Sequence, residues 1–159
     1  MPKKPEKTNV MRILDQKKID HKEYDYGVYE AMSGVEVAKI LGIEEERVFK
    51  TLVTQGASKE YYVFVIPVAE ELDLKKAAKA VSEKSIAMIK SKELLGLTGY
   101  IHGGCSPIGM KKQFKTVVDE TSELVDSMVF SAGKIGYQVE MSLDSLKEVC
   151  PLTIADLTA

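Results

Sequence analysis

Three stretches of the 159-residue sequence place residues that can act on a substrate among residues that cannot. The first is "RVFKTLV", with Lys50 at its centre. Strand alternation puts Val48, Lys50 and Leu52 on one face and Phe49, Thr51 and Val53 on the other. Both faces are otherwise apolar, so the strand is expected to be buried on both sides. Lysine is almost never fully buried without a partner. Lys50 must therefore either snorkel to the surface or reach into a cleft and meet an anionic or polar group.

The second stretch is "YIHGGCSPIGMKK", residues 100–112. Gly103 and Gly104 let the backbone approach a ligand closely and adopt positive φ. Pro107 fixes a turn and Gly109 permits another sharp bend. Successive N–H groups in such a bend form a nest for an oxyanion or a carbonyl oxygen, and Ser106 can add a hydroxyl. The competing reading is a tight connection between strands. Cys105 and His102 suggest a thiol–imidazole pair, although a lone cysteine in such a loop is more often a small filler than a nucleophile. The third stretch, "FSAGKIGYQ", is another small polar loop, carrying Ser131, Gly133, Lys134 and Gly136. Tyr24 and Tyr26 add aromatic surfaces with hydroxyl handles, one of them expected to do no more than pack.

The elements that must hold these residues follow from periodicity. Residues 8–19 read as a helix with Thr8 as cap, and "SGVEVAKILG" as a helix opened by a Ser33–Glu36 capping box and stopped by Gly42. "DLKKAAKAV" is a helix opened by Asp73, "SKELLGL" a short helix capped by Ser91, and "SLDSLKEVC" a late helix ended by Pro151. "HKEYDYGVY", "RVFKTLVTQ", "YYVFVIPV", "SIAMI", "KTVVD", "SMVFSAG" and "YQVEM" read as strands. Strands outnumber helices without strict alternation. The expectation is an α+β fold, with a mixed, mainly antiparallel, curved and barrel-like sheet and helices outside it. The length fits one domain over residues 1–159, with residues 1–7 as a flexible tail.

Composition narrows the function. Apolar residues make up 45% and charged residues 29%, as in a soluble globular protein. There is no membrane-spanning run and no secretory signal, so a cytoplasmic location and no membrane partner are expected. Cys105 and Cys150 are expected as reduced thiols, and with two histidines and no ligand-like spacing no metal is expected. The net charge of −2 argues against indiscriminate nucleic-acid binding, and no DNA partner is expected. Yet residues 75–115 hold nine lysines against two glutamates, an excess of +7 that leaves −9 elsewhere. Such a region suits a polyanion held at one face, or is a set of solvated helix faces.

"VFKTLV", "GGCSPIGMKK" and "FSAGKIG", in this order and at these separations, resemble the YbaK/EbsC family of aminoacyl-tRNA deacylases, which includes the editing domain of many bacterial prolyl-tRNA synthetases. The resemblance spans roughly residues 8–157 and includes "LDLKKAAKA". It implies a free-standing editing factor for mischarged tRNA, most directly Cys-tRNA(Pro), that acts with prolyl-tRNA synthetase on the tRNA acceptor end without a cofactor. By this resemblance Lys50, Gly104 and Ser131 carry catalysis. Tyr24, Thr51, Gly103, Ser106, Pro107, Gly109 and Gly133 bind substrate. Gln138 stands where some relatives have an aspartate, and Cys105 falls on a variable position. An aminoacyl ester is already activated, so the site must chiefly position it and stabilise developing charge. For a cysteinyl substrate the family mechanism uses the substrate's own thiol as nucleophile. The alternatives are a water-using deacylase for alanine or another small amino acid, a non-catalytic tRNA- or synthetase-binding module, and a Cys105-dependent thiol hydrolase.

Overall fold

The computed structural model describes residues 7–28, 30 and 32–159. The tail expected at residues 1–7 lies outside them except for Lys7. In chain order the elements are α1 (Asn9–Gln16), β1 (Lys22–Asp25), α2 (Gly34–Leu41), β2 (Phe49–Gly56), β3 (Tyr61–Pro67), α3 (Leu74–Ala80), β4 (Ile86–Met88), α4 (Ser91–Thr98), β5 (Lys115–Asp119), β6 (Met128–Ser131), β7 (Tyr137–Met141), α5 (Leu143–Val149) and β8 (Thr153–Ala155). Short 3-10 turns at Glu45–Arg47 and Glu120–Leu124 lead toward β2 and β6.

Helix starts follow the capping residues. The side chains of Thr8, Ser33, Asp73 and Ser142 each accept a backbone N–H from the first turn, satisfying donors that the helix leaves orphaned. α4 departs from expectation: Lys90 takes the cap position and Ser91 is already helical. There the Glu93 carboxylate turns back to accept the Lys90 N–H at 3.1 Å. α1 is shorter than the stretch 8–19, because Lys18 adopts φ +56° and turns the chain.

The strands make a three-stranded antiparallel sheet, β1-β7-β6, and a five-stranded sheet, β4-β2-β3-β5-β8. In the second, β2 runs antiparallel to β3 and β4, while β5 runs parallel to β3 and β8. The mixed, mainly antiparallel α+β architecture is as expected, but the barrel-like closure is not. The strands divide into two sheets, joined by a bridge between Val48 and Val129. β4 spans three residues and pairs only with Thr54–Gly56. Between that pairing and the bridge, no strand among the described residues pairs with the outer edge of β2.

The packing explains why β2 and β3 read as apolar on both faces. Val63 and Val65 join the main core with Val10 and Leu14 of α1, Leu94 of α4, and Phe130 and Val139. Phe64 and Ile66 face the other way, toward Ala77 and Ala78 of α3. Burying one such side chain stabilises the fold by about 1.5–3 kcal/mol. Register carries the same division to β2: Phe49 and Val53 enter the main core, and Leu52 packs on the α3 side. A smaller cluster of Ala38, Val48, Val68 and Val129 clamps α2 over the junction of the sheets. A Cβ at Gly34 would lie 2.1 Å from Val68 Cγ1, so only glycine lets α2 come this close.

Candidate active site

The open edge of β2 is the floor of a cleft of ≈ 380 Å³. Val48–Val53 line it in an unbroken run, with Ser33, Gly34 and Val37 of α2 on one wall and Ser131 and Gln138 of the three-stranded sheet on another. Met88, Ile89, Ser91 and Leu94 close a third side, and His102, Gly103 and Cys105 bring in the glycine loop. Residues from five separate stretches thus meet where the two sheets fail to close.

The orientation of the floor follows from the ladder. Val68 N–H donates to Val48 O, and Gly56 N–H donates to Glu60 O, both at 2.9 Å and both toward β3. Antiparallel pairing alternates the direction of backbone groups, so the N–H and C=O of Thr51 face the cleft. The Thr51 hydroxyl is also buried and has no hydrogen-bond partner. Leaving a buried polar group unpaired costs about 1–3 kcal/mol, a cost that a ligand able to bond it would remove.

Lys50 is half-buried and lines the cleft beside Thr51. No ion pair or hydrogen bond engages its ammonium among the described residues. The described lining contains no carboxylate. The N-terminus of α2 adds the positive end of its dipole on the same side. The cleft therefore presents positive charge and unpaired backbone groups to whatever enters it.

The two glycine-bearing loops pack on each other. A Cβ at Gly104 would lie 3.3 Å from Ile135 N and 3.4 Å from Lys134 Cα, so this residue is the point of close approach. Its N–H is not turned to the cleft: it donates to Ile101 O at 3.0 Å across a turn. Gly103, at φ +88°, is the member of the pair that reaches the lining. Ser131 Oγ accepts the Gly133 N–H at 3.1 Å, which fixes the serine at the cleft wall.

Lys50, Thr51, Gly103 and Ser131 thus share one cleft, with Gly104 buried immediately behind it. The remaining expected residues lie outside the lining. Ser106 Oγ accepts the Ile108 N–H at 3.3 Å, and Pro107 is buried with its carbonyl receiving the Cys150 thiol. Gly109 and Gly133, both at positive φ, sit against Tyr100 and α1. These residues shape the loops from behind. Tyr24 donates to Glu140, which also receives Ser127 and Arg47. Tyr26, two residues on, lines the cleft instead, and its hydroxyl accepts the Gly136 N–H at 3.1 Å.

Cys105 faces the cleft but is not activated. Burial pushes its thiol up to about 12, so at neutral pH it is protonated and a poor nucleophile. No hydrogen bond joins it to His102 among the described residues. The α2 wall was absent from the sequence reading; the Ser33 cap marked the helix start but gave no sign of where it points. The lysines of residues 75–115 separate in space. Those of α3 lie on the Phe64–Ile66 side of the sheet, where Lys76 is tied to Asp156 at 2.9 Å. Lys90 and Lys92 neighbour the lining residue Ser91 in sequence, and Lys111 lies over Gly99 at the end of α4.

Known proteins are similar to this chain in sequence and in fold. A family model described as "Aminoacyl-tRNA editing domain" matches residues 29–149. A curated protein of Enterococcus faecalis, named "Putative Cys-tRNA(Pro)/Cys-tRNA(Cys) deacylase EbsC", is 45% identical over 157 residues, covering 98% of this chain and 96% of its own. The solved structure titled "Crystal structure of a putative trans-editing enzyme for prolyl tRNA synthetase" superposes with a TM-score of 0.80 at 21% identity, over 99% of both chains. That of a hypothetical protein superposes at 0.84 and 21% identity, over 94% of this chain and 99% of its own. At these identities the structures speak for the fold alone.

Proposed function

The chain belongs to the aminoacyl-tRNA editing domain family, and on that premise we propose that it is a trans-editing deacylase clearing mischarged tRNA, with Cys-tRNA(Pro) as its main substrate. The observation that carries this reading is what the cleft holds and what it lacks. It offers one lysine ammonium, unpaired groups of Thr51 and a helix N-terminus, with no carboxylate among its described lining. Its cysteine is held protonated. Such a site can orient an ester and stabilise negative charge, but it contributes no obvious nucleophile. A cysteinyl ester brings its own.

In this mechanism Lys50 binds the terminal nucleotide's phosphate or ribose, and the edge of β2 at Thr51 holds the aminoacyl group. Gly103 and Ser131 bound the space beside the carbonyl. The substrate sulfur attacks its own acyl carbon, forming an S–C bond as the ester C–O bond breaks. The thiol proton passes to the departing ribose oxygen, and water later opens the resulting thiolactone to free cysteine. Gln138 occupies the wall where some relatives carry an aspartate, so no charged role falls there. The factor works in the cytoplasm with prolyl-tRNA synthetase, in transient contact, and the lysines around α4 meet the acceptor end.

Deacylation rates on tRNA charged with Cys, Ser, Ala or Pro test this reading. A thiol with a reference pKa near ~8.5 is a few per cent thiolate at pH 7, whereas serine's hydroxyl is un-ionised and alanine has none. The expected order is Cys far above Ser, with Ala slowest, and S-methylation of the cysteine stops the reaction. Rapid cleavage of Ala-tRNA or of the S-methylated substrate shows that water attacks. Background rates on all four substrates leave a binding module.

A further inference from the structure

We infer, resting on the deacylase reading above, that His102 is the proton carrier of the cleft. It takes the proton of the attacking substrate thiol and hands it to the departing ribose oxygen. That reaction needs a proton moved from sulfur to oxygen, whereas Lys50, Thr51, Gly103 and Ser131 hold and bound the ester. His102 lines the same cleft, next to Gly103 in the glycine loop.

The side-chain types in the cleft single it out. Imidazole is the one side chain that, left to its ordinary value, changes protonation between about pH 5 and 8. The other titratable residues of the described lining are Lys50 on β2, Tyr26 beyond β1 and Cys105 in the same loop. Burial pushes the Cys105 thiol up to about 12, so it keeps its own proton. The Tyr26 hydroxyl already receives the Gly136 N–H. No carboxylate joins them in the described lining, and Lys134 is the charged residue that the docked loop brings up behind Gly104.

The two histidines of the chain are held in opposite ways. His21 is engaged at both ring nitrogens, 2.7 Å from Ile19 O and 2.7 Å from Glu23 Oε2. His102 is exposed, and no hydrogen bond or ion pair holds its ring among the described residues. Its backbone, by contrast, is fixed. The bond from Gly104 N–H to Ile101 O and the positive φ of Gly103 are the pattern of a type II turn with His102 at its first corner. The close approach of Gly104 to Ile135 and Lys134 supports the turn from behind. A firm mount with a free ring suits a group that must serve two atoms in turn.

The step balances within the cleft. At neutral pH only a few per cent of a cysteinyl thiol is thiolate, so a base beside it speeds attack. An unprotonated ring nitrogen accepts the thiol hydrogen as the S–C bond forms. The imidazolium then gives that hydrogen to the ribose oxygen as the ester C–O bond breaks. The products are the thiolactone and a tRNA with its hydroxyl restored, and the histidine ends as it began.

The test is kcat and KM for deacylation of Cys-tRNA by the full chain between roughly pH 5.5 and 9, a range that spans imidazole and thiol ionisation. His102→Gln should lower kcat near neutrality by about 100-fold, the low end of what general acid–base groups contribute. KM and Tm should change little, since the side chain is exposed. The deficit should shrink as pH nears the thiol's ~8.5, where thiolate forms without a base. Imidazole in solution should restore part of the rate to His102→Ala, in proportion to its concentration. A wild-type rate and pH profile in His102→Gln overturns the proposal. So does a loss confined to KM that imidazole does not relieve, which places the ring on the RNA instead. S-methylated Cys-tRNA separates this from the parent reading. If the wild type cleaves it as fast as Cys-tRNA, thiol attack is wrong and the role of His102 goes with it. If it resists cleavage while His102→Gln runs at wild-type speed on Cys-tRNA, only the assignment of His102 fails.

Discussion

Two polar groups of residues lie close to the bridge between the sheets, and they are built in opposite ways. Around Glu140, Tyr24, Ser127 and Arg47 all donate to one carboxylate. Around Thr51, a buried hydroxyl lacks a partner, the backbone N–H and C=O face the cleft, and the neighbouring ammonium of Lys50 has no partner among the described residues. The first cluster spans β1, β7 and the turn before β2, so it fastens one sheet to the start of the other. The second is held open by the short reach of β4. A saturated network stabilises and is finished, whereas an unsaturated one is receptive. The contrast also separates two tyrosines two residues apart: Tyr24 is consumed by the fastening, and Tyr26 is left to the cleft.

The strongest way to break the comparison is at Lys50. Lys50→Ala should lower kcat/KM on Cys-tRNA by about 2–4 kcal/mol of transition-state stabilisation, with Tm unchanged. Near-wild-type turnover would end its assignment as the substrate anchor.

Glu140→Ala should do the reverse. Removing the acceptor strands a partly buried arginine and two hydroxyls, a loss of about 2–3 kcal/mol of stability. Activity measured well below Tm should fall little, and a folded but dead variant would move this cluster into the reaction. Burial alone would push the Glu140 carboxyl up, but the bonds from Ser127 and Tyr24 and the Arg47 charge outweigh it and hold it below its ordinary value. Its contribution is present above the unfolded carboxylate value of about 4.3 and is lost as pH falls through the lower folded value. The acid limb of a Tm–pH curve should therefore be shallower in the variant.

Thr51→Val sharpens the contrast with a smaller effect. The change removes an unpaired buried hydroxyl, so Tm should hold or rise slightly. It also removes a group the substrate would bond, so kcat/KM should fall by about 1–2 kcal/mol. A fall in Tm together with unchanged activity would show that the hydroxyl serves the fold.

Cys105→Ala should have the least effect on turnover. Its signature is alkaline. Burial raises the folded thiol to about 12, so its contribution to stability is complete below the unfolded value near ~8.5. That contribution drains away as pH rises toward 12. Thermal unfolding between those limits should show a shallower decline in the variant, and Cys105 should resist alkylation at neutral pH. Fast alkylation would revive a thiol mechanism.

The same contrast shows what could be read in advance. β2 and the two glycine-bearing loops were legible, because alternation, β-branched content and turn residues are local signals. Lys50 stood out as an anomaly within one strand. The Glu140 cluster was not legible: it joins residues 116, 93 and 13 positions apart, and no local pattern announces such a meeting. Nor was the division into two sheets, which depends on β4 ending after three residues, or β8, whose three residues pair with β5 only through a long connection. The loop glycines were legible as turns, but which of them faces the cleft depends on how two loops dock.

An unpaired strand edge carries a second consequence. An edge with open backbone groups can recruit another chain into a growing sheet unless charge or cover blocks it, and here Phe49, Leu52 and Val53 are apolar while Lys50 supplies a charge. The walls made by α2, α4 and the glycine loop flank this edge and narrow the way to it. Variants that trim those walls to widen substrate range should therefore self-associate, and the molecule's selectivity and its resistance to aggregation rest on the same few residues.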